Sequence, residues 1–396
     1  MMAEHTTDHP CPVCSGNTME EFLFLPGVPT HCNLLWESRA RAQDAPRGDL
    51  RLGFCRSCGH VYNLAFDPSL MEYTQAYENS LHFSPRFQAY ADALAARLID
   101  QYGIREKEVI DIGCGKGDFL ALLCNKGDNR GYGFDPSFVP EIMEKASAER
   151  MTIIQDFYSP RYAGYQADLV TCRHVLEHIQ SPQEFVKNVR ASVGSRTSTV
   201  VFFEVPNVMY TLRDMGIWDL IYEHCSYFSA SSLAVLFSSC GFKVQKQTEL
   251  YEGQFLGIDV VPGTPAGEVL PDVRTRVAEM DKDRRAFAEN YRRKVDGWKK
   301  MFDATSSHRK VVVWGGGSKG VMFLNTLRPE KGVEYMVDIN PRKQGMFVAG
   351  TGQEIVGPEF LRKYRPDTVI IMNAIYREEI RGQLQSLGVN AEIMEA

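Results

Sequence analysis

No stretch of the chain approaches the run of about 18 apolar residues that a membrane-crossing helix needs, so no membrane span is expected. The first ten residues lack a basic stretch followed by an apolar run, which argues against a secretory leader. An excess of positive charge is missing as well. Lys and Arg number 44 against 50 Asp and Glu, a net charge of −6, and that balance leaves no electrostatic footprint for nucleic acid. Internal repeats and low-complexity runs are absent. Without a leader, the 10 cysteines read as reduced thiols or metal ligands in a cytoplasmic protein rather than as a disulfide framework.

What is present is globular: 44% hydrophobic and 24% charged residues. A length of 396 residues exceeds one ordinary core, so two or three domains are expected. Turn residues and two Cys pairs fill residues 1–66. Residues 67–107 form a connector with an aromatic loop (Tyr73, Tyr77, His82, Phe83, Phe87) and then a helical pattern. From 108 to 262, strand and helix patterns alternate, the signature of an α/β sheet. Residues 263–308 are charged with a helical apolar stripe through Val273, Val277, Met280, Phe287, Tyr291 and Val295, which reads as a packing face. Strand and helix alternate again over 309–396.

Cys11-Pro-Val-Cys14 and Cys55-Arg-Ser-Cys58-Gly59 are two C-x-x-C pairs with 40 residues between them. Each pair can form a knuckle that presents two thiolates, and two knuckles complete a closed tetrahedral site for structural Zn²⁺. Cys32 and His60 lie close enough in sequence to replace one ligand.

Asp111-Ile-Gly113-Cys-Gly115-Lys-Gly117 follows an apolar run (Val109–Ile112) and precedes a helical pattern. Glycines at such a turn let the backbone approach a nucleotide-like ligand closely. A second strand ends in Asp135, placed to accept hydrogen bonds from both ribose hydroxyls. A third ends at Gln155-Asp156, where a side chain can face the adenine amine. The fourth runs into Arg173-His174-Val-Leu-Glu177-His178. A nicotinamide-binding domain also uses a glycine turn and a ribose acid. The Asp-x-Gly-x-Gly-x-Gly form and the Leu-Glu-His strand end instead resemble class I S-adenosylmethionine (SAM)-dependent methyltransferases. That resemblance implies Asp111, Gly113, Gly115, Gly117, Asp135 and Asp156 at a SAM site.

Beyond the fifth strand, Tyr222-Glu223-His224 puts a phenol, a carboxylate and an imidazole side by side, and Glu223-His224-x-x-Tyr227-Phe228-Ser229 continues the string. A second glycine turn, Trp314-Gly-Gly-Gly-Ser318-Lys319-Gly320, opens the last segment; its backbone N–H groups can hold phosphate and Lys319 adds charge. With the Cys pairs, these marks resemble the nucleotide-sugar C-methyltransferases of deoxysugar biosynthesis over nearly the whole chain. The resemblance implies a class I methyltransferase sheet between a four-Cys zinc module and a second Rossmann-like α/β domain. It implies SAM-dependent methylation of carbon on a nucleotide-activated keto-deoxysugar, a small-molecule substrate. It also implies His224 as base, assisted by Glu223, Tyr222 and Tyr77, with His178 matching the family's His after strand four. A neutral imidazole suits a base near neutral pH, and a neighbouring carboxylate can stabilise its protonated form.

Three features depart from the family pattern. Tyr222 abuts Glu223, where the family has one residue between. Gly253-Gln254-Phe255-Leu256-Gly257 stands where the family has Gly-Gly-Ser-Leu-Arg. Gly350-Thr-Gly352-Gln-Glu-Ile355 replaces Gly-Thr-His-Ile-Pro. The alternative reading is O- or C-methylation of another natural-product or polysaccharide intermediate.

Overall fold

The structure, a computed structural model, describes residues 5–17, 19–71, 78–138, 149–265, 272–305, 308–329 and 332–396. The chain opens with β1 (His5–Thr7), β2 (Met19–Pro29), β3 (Arg47–Cys55) and β4 (Val61–Asn63). It continues through β5 (Glu108–Ile112), β6 (Arg130–Phe134), β7 (Met151–Ile154), β8 (Leu169–Arg173), β9 (Val200–Pro206), β10 (Ser226–Tyr227), β11 (Phe242–Leu250) and β12 (Phe255–Pro262). The last strands are β13 (Val311–Trp314), β14 (Val333–Val337), β15 (Glu354–Val356), β16 (Thr368–Ile371) and β17 (Glu392–Glu395).

The central sheet runs β11-β12-β9-β8-β5-β6-β7. Strands β5 to β9 are parallel, and β12 runs against both of its neighbours. This is the strand order of the class I methyltransferase sheet. Its strands read as near-continuous apolar runs because helices cover both faces. Alternate residues sort to the two faces. Val109, Leu169 and Phe202 pack under the Pro85–Tyr102 and Asp118–Gly127 helices. Ile110, Val170 and Phe203 pack under the Pro182–Val193 and Ala230–Ser239 helices. The strand order reverses between β5 and β8, so the glycine turn leaving β5 opens at the crevice where such sheets bind ligands.

The C-terminal sheet, β15-β14-β13-β16-β17, is parallel throughout, and the second glycine turn leaves the end of β13. The Val273–Ala304 helix ties the two ends of the molecule together. Its Phe287 meets Phe22 of β2, and buried Arg284 pairs with Asp281 and Glu20. Farther along, Trp298 and Phe302 pack on Phe323 of the C-terminal domain.

One pairing is invisible in sequence patterning. The N-terminal antiparallel sheet takes β10 as its edge strand, so Tyr227 lies opposite Val61 and Ser226 opposite Tyr62. The segment that follows β9 therefore leaves the central domain and locks onto the sheet that carries the Cys pairs. Asn63 N donates to Cys225 O at 2.9 Å, and Ser229 Oγ donates to Gly59 O at 3.1 Å.

Candidate active site

A cavity of about 920 Å³ opens where the three sheets converge. That is the upper end of the range for small-molecule sites, about 300–1,000 Å³. Gly113, Gly115 and Asp135 line one side, His178 and His224 the middle, and Ser318, Lys319 and Asp338 the far wall.

The glycine turn is built for close approach. Gly113 has φ +69°, and a Cβ there would sit 2.1 Å from Val175 Cγ2. Gly115, at φ +57°, has nothing within 4 Å of such a Cβ and faces open space. Its N–H donates to Asp135 Oδ2 at 2.8 Å, and Ser137 N donates to Oδ1 at 2.8 Å, which fixes the carboxylate at the cavity edge. Asp111 is buried beneath the turn. Burial pushes its carboxyl up to about 6, although Thr171 Oγ1 donates to it at 2.7 Å. Gly117 lies off the cavity wall, where it starts the Asp118–Gly127 helix at φ +86° against Ile153. Asp156 also turns away, accepting from Tyr162 Oη at 2.6 Å and pairing with Arg161 at 2.7 Å. Its neighbour Phe157, 64% exposed, lines the cavity instead.

The side chains of the Tyr222-Glu223-His224 string do not enter the cavity together. Only His224 reaches the cavity. The Tyr222 ring is fully buried beside Phe66, and its hydroxyl accepts from Asp67 N at 2.8 Å. The Glu223 carboxylate accepts from Cys32 N at 3.1 Å, on the far side of the turn. Three consecutive side chains in a tight turn fan out in different directions, which is why adjacency in sequence does not become adjacency in the site. Tyr77 lies outside the described residues.

The carboxylate that meets the imidazoles is Glu177. Donor atoms of Glu177, His178 and His224 lie within 4.8 Å of one another, and the rings of His178 and His224 are 5.0 Å apart. His178 Nδ1 is 2.9 Å from Glu223 O, which anchors that ring. His224 Nδ1 is buried with no hydrogen-bond partner among the described residues. Burial, and secondarily His178, pushes His224 down to about 3, so its ring is neutral. Burial opposes ionisation of Glu177, but His174 and His178 hold its carboxyl below the usual range, so it is an anion.

The far wall is more paired than its sequence suggests. Lys319 Nζ donates to Gln254 Oε1 at 2.8 Å and pairs with Asp219 at 3.2 Å. Buried Glu78 bridges the domains: it pairs with Lys116 in the glycine turn and accepts from Asn340 Nδ2 at 3.1 Å. Neither Glu177 nor Glu78 carried a role in the sequence reading. Glu177 had a signal in the Leu-Glu-His string, whereas Glu78 had none.

At the N-terminal end, all four thiols of Cys11, Cys14, Cys55 and Cys58 lie within 4.8 Å of one another, and none is in a disulfide. The Cys11–Cys58 and Cys14–Cys55 Sγ separations are 3.7 and 3.5 Å. Thiolates around a tetrahedral Zn²⁺ at about 2.3 Å would stand about 3.8 Å apart, so the donor set fits. Cys32 and His60 are outside the cluster.

Residues 84–247 match the family described as a methyltransferase domain, and residues 272–391 match the C-methyltransferase C-terminal domain. The region matched as a methyltransferase domain holds the glycine turn and His224, and the region matched as a C-methyltransferase C-terminal domain supplies the far wall. Among curated relatives, the C-methyltransferase NovU of Streptomyces niveus is 26% identical over 224 residues, 54% of this chain and 53% of that protein. The ubiquinone biosynthesis O-methyltransferase of Escherichia coli O127:H6 is 32% identical over 91 residues, 22% of this chain and 38% of that protein. The chain therefore spans about half the length of the first relative and less of the second. The magnesium protoporphyrin IX methyltransferase of Synechocystis PCC 6803 superposes at a TM-score of 0.35 with 16% identity, over 45% of this chain and 84% of that one. No helix among the described residues is long and apolar enough to cross a membrane.

Proposed function

We propose that the chain is a SAM-dependent C-methyltransferase acting on a nucleotide-activated keto-deoxysugar. The observation that carries the reading is the shared cavity, which borders the glycine turn with Asp135, the neutral His224, and a wall from the C-methyltransferase C-terminal domain. The relative named as a C-methyltransferase supports it.

SAM held at the glycine turn and Asp135 would supply an electrophilic sulfonium methyl for transfer to carbon, with its thioether as the leaving group. The chain's part is to hold and to deprotonate. Asp135 and the open space over Gly115 suit a ribose and the adjoining chain of the cofactor. His224, neutral and lining the cavity, takes the proton beside the acceptor's ketone. The Glu177 anion stabilises the resulting imidazolium, the part first read for Glu223. Tyr77 remains the candidate donor to the enolate oxygen. The four thiolates of Cys11, Cys14, Cys55 and Cys58 would hold a structural zinc ion, since a closed site leaves no position for substrate.

Gly113→Ala is expected to weaken SAM binding at least about 100-fold, about 2.7 kcal/mol, because its methyl would collide with Val175 at a left-handed backbone position. Calorimetric titration with SAM checks this.

A second reading, methylation of another natural-product or polysaccharide intermediate, draws on the engagement of Lys319 by Asp219 and Gln254, which leaves it less available to a phosphate. Incubating the enzyme with ¹³C-methyl SAM and a panel of keto-sugar nucleotides separates the two. Label bonded to carbon in a sugar-nucleotide product is the expected result. Label on oxygen, or turnover only on acceptors without a nucleotide, would favour the second reading.

A further inference from the structure

His174 is a half-buried residue that the proposed reaction leaves without a role, and its backbone is unusual. Its φ is +55°, a left-handed conformation uncommon outside glycine. Observed strain of this kind at a site invites a functional explanation. The conformation turns the ring between two buried carboxylates. Nε2 lies 2.9 Å from Glu204 Oε1, and Nδ1 lies 3.7 Å from Glu177 Oε1. The ring packs edge-on against Phe255, with ring centroids 4.5 Å apart, and the residue lines the cavity.

The two carboxylates are held differently. Glu204 is fully buried and saturated: Arg173 Nη2 donates to it at 2.8 Å, Arg173 Nε at 3.1 Å, and Tyr90 from the Pro85–Tyr102 helix also donates. Glu177 is equally buried, but its Oε2 has no hydrogen-bond partner among the described residues, and this carboxylate faces His178 and His224. A line of alternating charge therefore runs from Arg173 through Glu204, His174 and Glu177 to the two neutral imidazoles. We infer that His174 is a positioning residue: clamped between Glu204 and Glu177, it fixes the carboxylate that faces His224 and so sets the conditions under which that base works.

The charges facing His174 support this. Glu204 comes from β9, Glu177 from the turn after β8, and Arg173 stands behind Glu204; His178 and His224 complete the surroundings. Burial disfavours the charged ring, yet Glu177 and Glu204 together raise it to about 9. His174 is thus an imidazolium at neutral pH and loses its proton only as pH rises through about 9. Above that pH Glu177 loses its counter-ion, and burial draws its carboxyl upward.

The inference rests on the reading of His224 as base, but its test needs no substrate. Full-length protein carrying ¹⁵N-histidine is titrated from pH 5 to pH 10 by NMR. One imidazole is expected to titrate near 9 and to vanish in His174→Gln. In the wild type, two further imidazoles that stay neutral are expected to shift with the same midpoint, as His178 and His224 sense the change. Should His174→Gln fail to fold, Glu204→Gln provides the second arm: the high midpoint falls by at least about one pH unit. No imidazole titrating above pH 8, or a high midpoint that leaves every other histidine unmoved, overturns the proposal. Absence of turnover on every keto-sugar nucleotide would instead count against the proposed function, since it leaves these resonances as they are.

Discussion

His224→Ala is expected to lose about 10³-fold in turnover while binding SAM as the wild type does. The size follows from removing a general base, about 10²–10⁴-fold. Retained SAM affinity follows from geometry: the glycine turn and Asp135 are held by their own hydrogen bonds, to Ser137 N and Gly115 N, and not by His224. Deuterium exchange from solvent at the acceptor carbon should vanish with turnover, because both need the same proton removal. Glu223→Gln separates this account from one in which the Glu-His pair works as a unit. Glu223 accepts from Cys32 N, so its amide should lower stability more than it alters proton exchange. The matching substitution Glu177→Gln should slow exchange, since it removes the anion beside His224. Kinetic and melting measurements on the three variants decide between the two arrangements.

Cys55→Ser is expected to lose bound zinc and most of the activity together, although none of Cys11, Cys14, Cys55 and Cys58 lines the cavity. The cause is the edge strand β10. The second knuckle shapes Gly59, at φ +72°, whose carbonyl accepts from Ser229, and β4 beyond it pairs with Ser226 and Tyr227. His224 lies two residues before that strand. Losing the knuckle therefore loosens the anchor of the proposed base. Metal affinity of a structural site is folding free energy, about 10–16 kcal/mol in zinc-finger peptides, so even a modest share would unfold this small sheet. Metal analysis by mass spectrometry, with thermal melting and turnover on the same sample, checks the prediction. Equal zinc content and equal melting temperature in the variant would remove zinc from the account.

How far these features were legible depended on their range in sequence. The central strands were readable because a sheet covered on both faces leaves long apolar runs, such as Val200–Phe203. The glycine turn and Asp135 were readable because a β-turn-α unit fixes their relation locally. The β4–β10 pairing was not: a two-residue strand carries no periodicity, and its partner lies far off in the chain. The same limit hid the carboxylate at the base. Adjacency drew attention to Glu223, whereas Glu177 reaches His224 because the Leu176–His178 turn packs against the segment around β10. Glu204 left only a trace, an acid beside an apolar strand, and its buried partner Arg173 is seen in the structure alone.

The central claim is that one cavity holds the cofactor at the glycine turn and the acceptor at His224 at the same time. It is tested most directly by a crystal structure with S-adenosylhomocysteine and a keto-sugar nucleotide bound together. The expected result is sulfur over Gly113–Gly115, a ribose on Asp135, and the acceptor carbon between sulfur and the His224 imidazole, within about 3.5 Å of a ring nitrogen. An acceptor seated away from that ring, or a cofactor bound elsewhere than the Gly113 turn, would contradict the account.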